Sequence, residues 1–257
     1  MNTPVNMQEA PASIAGRAVL ITGAAHRIGA AIARGLHAEG ANVAIHFRRS
    51  GGDAMSVCNE LNAARAGSAI AIEGDLLDVQ RLPAIVAAAV ATFGRLDVLV
   101  NNASSFYATP LGTITPAQWN DLIGTNLQAP LFLSQAAAPH LRKSQGLIVN
   151  MIDIHAQRPL PLHPVYSTAK AGLAMLTRSL ARELAPEVRV NGIAPGPILW
   201  PEAGMDPGLQ QEIVAKTLLK RTGSPVDIVR TVLFFAKDAP YVTGQILAVD
   251  GGRSLGW

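Results

Sequence analysis

A single cysteine, Cys58, is all the thiol that 257 residues contain. That excludes an internal disulfide and a cysteine-rich metal site, and Cys58 itself reads as a small apolar helix residue. Aromatic residues are scarce, at 5%. The basic residues are scattered rather than bunched, so a formal charge of +3 and a pI near 9.3 suit a small anionic ligand and give no support to a nucleic-acid surface. Long hydrophobic runs are missing too. The longest, Ala84 to Phe93, falls well short of the roughly 20 residues that a membrane-spanning helix requires. Met1 to Ala15 has neither a basic n-region nor an apolar h-region, so it reads as a disordered tail rather than a signal, with the cytoplasm as the default location. Repeats and low-complexity tracts are absent. His46, His140, His155 and His163 lack ligand spacing, so no metal site is expected.

What the chain does have is alternation. Arg17 to Thr22 is short, continuous and apolar, as a buried strand should be, and a helical pattern follows from Ala30 to Glu39, closed by Gly40. The same reading puts strands at Asn42–Phe47, Ser68–Glu73, Leu96–Val100, Gly146–Ile152, Val188–Ile193 and Gln245–Val249. Helices fall at Asp53–Arg65, Gln80–Phe93, Thr115–Leu141 (bent near Pro130), Pro164–Ala185, Leu209–Leu219 and Pro225–Ala236. Strands and helices in strict alternation with short links form a parallel sheet with helices on both faces. No polar linker divides the chain, so residues 16–257 read as one doubly wound, Rossmann-like α/β domain. Its ligands belong beyond the carboxyl ends of the strands.

Three stretches at those ends carry chemistry. Gly23 and Gly29 bracket the turn between the first strand and the first helix, where glycine lets a pyrophosphate approach backbone amides at a helix N-terminus. Between them stands Arg27, whose guanidinium adds charge and donors beside the phosphates. After the second strand come Arg48, Arg49 and Ser50, with no carboxylate to hold a ribose 2′-hydroxyl. Two arginines and a hydroxyl suit a 2′-phosphate, which selects NADPH over NADH. Asp75, followed by Leu76 after the third strand, reads either as an acceptor for the adenine amine or as a plain helix N-cap. Finally, Tyr166 and Lys170 are four apart at the start of a long helix, one turn apart on one face. An ammonium beside a phenol is expected to lower its pKa and make it useful in proton transfer.

Together these residues resemble the short-chain dehydrogenase/reductase family from about Gly16 to Gly252. The matching stretches are Thr22-Gly23-x-x-x-Arg27-Ile28-Gly29, Asn101-Asn102-Ala103, Asn126, Tyr166-x-x-x-Lys170, Pro195-Gly196 and Val249-Asp250-Gly251-Gly252. The resemblance implies hydride transfer between a nicotinamide and a carbonyl or imine. It implies that Tyr166 is the acid/base, that Lys170 binds the nicotinamide ribose, and that Asn126 holds a water of the proton relay. It also implies that Ile28, Leu76, Asn102, Ala103, Pro195 and Gly196 join the cofactor site. Homotetramers are usual in the family, built on helices that correspond to Trp119–His140 and Tyr166–Glu183.

One position departs from the common pattern. The family serine thirteen residues before the tyrosine is Asp153 here. A buried carboxyl can donate a proton as well as polarise, which a ring nitrogen gaining hydrogen across C=N requires and a ketone does not. The same departure marks the pteridine reductases, and the run Asn102-Ala103-Ser104-Ser105-Phe106-Tyr107 is similar to theirs. That similarity implies a pterin stacked between nicotinamide and Phe106, with Arg27 contacting it and Ser104 contacting both pterin and cofactor. The loop from Pro197 to Gly208, with Leu199, Trp200 and Met205, reads as a lid or a subunit contact, Leu199 and Trp200 being candidate substrate contacts. Two rival readings stand beside this one: an NADPH-dependent carbonyl or 3-oxoacyl reductase, and a protein that binds NADPH without turnover.

Overall fold

In the computed structural model, which describes residues 13–201 and 204–256, seven strands form one parallel sheet in the order β3-β2-β1-β4-β5-β6-β7. The strands are β1 (Ala18–Ile21), β2 (Asn42–Phe47), β3 (Ala69–Glu73), β4 (Val98–Asn101), β5 (Leu147–Met151), β6 (Arg189–Pro195) and β7 (Ile246–Val249). The helices are α1 (Arg27–Ala38), α2 (Gly51–Ala64), α3 (Leu82–Phe93), α4 (Pro116–Ile123), α5 (Ala129–Ser144), α6 (Pro164–Leu184), α7 (Pro207–Ala215) and α8 (Pro225–Leu233). Every expected strand and helix is present, with ends shifted by a few residues; α7 stops at Ala215, short of the expected Leu219.

Strand alternation sorts the core into two layers. Val19, Ile21, Val43, Ile45, Val98 and Val100 face one side, against α1, α2 and α8. Leu20, Ala44, Leu99, Ile148 and Val190 face the other, against α3, α5 and α6. Side chains two apart lie on one sheet face, so continuous apolar strands serve both layers. The strand order reverses between β1 and β4, and the crevice at such a reversal is where this architecture binds ligands. Among the described residues no helix is long and apolar enough to cross a membrane.

Two expectations are corrected. The first fifteen residues are not all tail: residues 1–12 lie outside the described chain, but Ile14 is 1% exposed and packs into the core. An isolated isoleucine in a polar stretch gives no periodic signal, yet burying it removes its whole side chain from water. The second concerns the long helix from Thr115, which is interrupted just ahead of Pro130 by a π-helical turn, Gly124–Gln128. Pro130 sits in the first turn of α5, which continues without a gap from the π-turn, and its missing N–H leaves the backbone ladder one donor short there.

Candidate active site

The turn after β1 is shaped by what cannot fit in it. Gly23 has φ +60°, and a Cβ on Gly29 would stand 2.3 Å from the Gly23 carbonyl and 2.6 Å from the Asn102 amide. Arg27 holds φ +54°, an unusual backbone for a side chain with a Cβ. No side chain caps α1 and no acid stands in its first turn, which leaves the positive end of the helix for an anion. The turn is tied to the end of β4 by Asn102. Its side-chain amide donates to the carbonyls of Thr22 (2.9 Å) and Gly23 (3.1 Å), while the backbone N–H groups of Asn102 and Ala103 donate to Thr22 Oγ1.

A cleft of about 400 Å³ opens along these strand ends. It is lined by Gly23, Arg27, Ile28 and Gly29 at one end and by Arg48, Arg49, Ser50, Asp75 and Leu76 beside β2 and β3; Asn102, Ala103 and Ser104 close it. Twelve residues expected from sequence to hold a dinucleotide thus line one cavity. Asp75 closes a local turn and is not the N-cap of the short helix after it, which is Asp78. Its Oδ1 accepts from the Leu77 N–H at 3.0 Å, and the carboxylate lies on the cleft wall 3.8 Å from Arg48 Nη1. The backbone cradle, the uncapped helix end and the arginine pair fit NADPH, and Arg48, Arg49 and Ser50 are the groups that would meet its 2′-phosphate. Pro195, Gly196, Tyr166 and Lys170 lie outside the lining of that cleft. Pro195 ends β6 and Gly196 follows it, donating to the Val249 carbonyl with no room for a Cβ against Asp250.

At the end of β5, Tyr166 donates its hydroxyl proton to Asp153 Oδ2 at 2.7 Å, and Asp153 Oδ1 accepts from the His155 N–H at 2.8 Å. Tyr166 is 4% exposed. Its pKa is not lowered, as Lys170 was expected to make it, but raised well above that of a free phenol. Burial is the largest cause, followed by the Asp153 charge and hydrogen bond; Ser104 works the other way. A carboxylate in direct contact outweighs an ammonium further off. Lys170 Nζ stands 5.6 Å from the centre of the phenol ring and donates to the Met151 carbonyl at 2.9 Å. Burial in turn pulls the Lys170 pKa down to about 8, with Asp153 opposing. Tyr166 is therefore protonated at neutral pH.

Asn126, in the π-helical turn, is fully buried. Its amide donates to the Ser105 and Leu122 carbonyls, both at 2.9 Å, and its Oδ1 accepts from Ser104 Oγ at 2.6 Å. The side chain thus anchors the Ser104–Ser105 loop. Phe106, half exposed, meets Tyr166 edge-on with centroids 4.8 Å apart and stacks on His163 at 4.9 Å and 11°. Its neighbours on both sides are held by one carboxylate: Tyr107 Oη donates to Asp121 Oδ2 at 3.0 Å and Ser105 Oγ to Asp121 Oδ1 at 3.4 Å. Trp200 joins the site through its backbone, its carbonyl accepting from Arg27 at 3.0 Å, whereas Leu199 is exposed beside it. The loop between Pro197 and Gly208 thereby reaches the phosphate turn; residues 202–203 of it lie outside the described chain.

Sequence reasoning missed Asp121, His163 and His46 as parts of this site. Asp121 looked like an ordinary helix acid, and no local pattern joins His163 to a phenylalanine 57 positions earlier. His46 had been weighed only as a metal ligand, although it is the one polar side chain that buries itself at the end of β2.

A family model described as enoyl-(acyl carrier protein) reductase matches residues 23–254. Pteridine reductase 1 of Leishmania tarentolae is 38% identical over 277 aligned positions, covering 92% of this chain and 96% of that protein. A 3-oxoacyl-[acyl-carrier-protein] reductase of Staphylococcus aureus is 37% identical over 243 positions, covering 93% and 98%. Among solved structures, a blue fluorescent protein from a metagenomic library, in complex with NADPH, superposes with a TM-score of 0.88 at 34% identity, covering 94% of this chain and 99% of that one.

Proposed function

The chain belongs to the short-chain dehydrogenase/reductase family, and from that premise we propose that this NADPH-dependent reductase acts on pterins, across a ring C=N bond. The observation that carries the reading is the 2.7 Å hydrogen bond between Tyr166 and Asp153. A carbonyl reductase has use for one acid. A ring nitrogen in a C=N bond must be given a proton and hold it, and a phenol backed by a carboxyl is suited to that task.

NADPH, held by the residues named above, supplies the hydride when bound. Phe106 provides a flat apolar platform for a heteroaromatic ring, a contact worth about 0.5–1.5 kcal/mol beyond burial. Tyr166 hands its phenolic proton to the substrate nitrogen. Asp153, which accepts the hydrogen bond of that hydroxyl, holds the phenol in place and relays back to it a proton taken up from solvent after the transfer. Lys170 keeps a positive charge near the phenolate that results. Ser104, aligned by Asn126, and Arg27, fixed in the phosphate turn, face the polar edge of the substrate. The loop after β6 closes over the phosphate end through Trp200. A homotetramer fits the exposed apolar residues Trp119 and Leu131 on α4 and α5 and Met175 on α6.

A second reading, reduction of a ketone or a 3-oxoacyl thioester, is favoured by the similarity to 3-oxoacyl reductases, nearly equal to that with a pteridine reductase. Parallel assays of NADPH oxidation with dihydrobiopterin, dihydrofolate, a small ketone and an acetoacetyl thioester decide between them. Turnover of the thioester or ketone with none of either pterin would overturn the proposal.

A further inference from the structure

His46 is the next-to-last residue of β2 and is 1% exposed. Both of its ring nitrogens are used. The Gly23 N–H donates to Nδ1 at 3.3 Å, and Nε2 lies 3.1 Å from the Gly74 carbonyl. An amide N–H only donates and a carbonyl only accepts, so the ring must be neutral with its proton on Nε2. Burial enforces that state, holding the imidazole pKa down to about 4 against the opposing pull of the Gly74 carbonyl and Asp75. The backbone repeats the lacing. The Ala24 N–H donates to the His46 carbonyl at 2.9 Å and the Gly74 N–H to the Phe47 carbonyl at 3.0 Å. Gly74 has no room to retreat, since a Cβ there would meet Ile85 at 2.6 Å.

The two partners belong to opposite halves of the cofactor cleft. Gly23 opens the turn that faces the pyrophosphate, and Gly74 leads into Asp75 and Leu76 on the adenine side. These walls come from β1 and β3, which do not touch each other; β2 lies between them. We propose that His46 is a positioning residue for NADPH: its neutral imidazole sets the separation of the pyrophosphate turn and the adenine-side loop, and thereby the affinity of the site. It touches no reacting atom, so its effect belongs in cofactor binding and not in the chemical step.

The two side-chain amides dissect the role. Asparagine places an acceptor near the position of Nδ1 and can keep the Gly23 contact. Glutamine reaches the position of Nε2 and can keep the Gly74 contact. Leucine keeps neither. The experiment is calorimetric titration of His46→Leu, His46→Asn and His46→Gln with NADPH, with melting temperatures recorded and kcat measured at saturating cofactor. His46→Leu should weaken NADPH by roughly tenfold or more, since two buried hydrogen bonds are lost. The two amide variants should each recover part of that loss, with kcat at saturation within about twofold of the parent in all three, as expected of lost uniform binding. A folded His46→Leu that binds NADPH as the parent does would overturn the proposal. So would kcat falling while affinity held. Should His46→Leu not fold, the amide variants decide: weakened affinity with kcat kept supports the role, and unchanged affinity in both overturns it.

Discussion

The Lys170 ammonium donates to the Met151 carbonyl at 2.9 Å and is 2% exposed, beneath a phenol that it was expected to acidify. Burial lowers its own pKa to about 8. Its charge, which the phenolate needs after proton donation, is therefore present below pH 8 and lost above. The kcat/KM profile should fall on the alkaline side with a midpoint near 8. Lys170→Arg, which stays charged, should remove that limb while lowering activity through altered packing. A profile flat to pH 10 would exclude a role for the Lys170 charge.

Tyr166→Phe removes the proton donor and leaves the cofactor cleft untouched. Turnover should drop by about 10²–10⁴-fold, with NADPH affinity kept. Asp153→Ser restores the residue common in the family; it should cost pterin reduction far more than ketone reduction. Steady-state rates with both substrate classes, beside a cofactor titration, test the pair.

Phe106→Ala should raise the pterin KM by roughly tenfold and leave the KM for a small ketone nearly unchanged. Tyr107→Phe releases one of the two hydroxyls that Asp121 holds beside Phe106. Its effect should run in the same direction and be smaller, and equal losses on both substrate classes would argue against a stacking platform.

Arg49→Asp places a carboxylate where the 2′-phosphate is expected. NADPH affinity should fall by roughly 10–100-fold, the equivalent of one or two charge-assisted hydrogen bonds, and NADH should gain relative to it. The ratio of the two dissociation constants is the measurement.

Acid should loosen the fold through His46. Its folded pKa, near 4, lies below the unfolded value of about 6.5. The unfolded chain therefore binds more protons between those values, and stability falls as pH drops from 6.5 toward 4, by roughly 3 kcal/mol from this residue. Urea unfolding at pH 7 and pH 4.5 should show a smaller difference in His46→Asn than in the parent protein.

The element pattern was legible because it is local. Apolar strands, a glycine turn ahead of α1 and a capped or proline-started helix announce themselves within ten or so residues. Those of the expected cofactor residues that line the cleft could be named for the same reason: each lies in the turn or helix start that follows a strand, and a parallel sheet gathers all strand ends on one side. What resisted reading was the balance of forces at Tyr166. A spacing of four put Lys170 on the right face but could not tell that Asp153, from another element, would lie closer. The sequence marks the irregularity of the long helix only through Pro130, since the π-turn just before it, Gly124–Gln128, has no residue signature.

By itself, the amino-acid order determined the strand–helix alternation, the side of the sheet on which chemistry happens and the preference for a 2′-phosphate, since all three follow from short-range periodicity and residue type. Only the folded chain decided that the phenol is held protonated, that Asn126 anchors a loop, that Phe106 leans on His163 and that His46 spans two loops. Those are contacts between residues distant in sequence, and burial together with the nearest charge sets their energies.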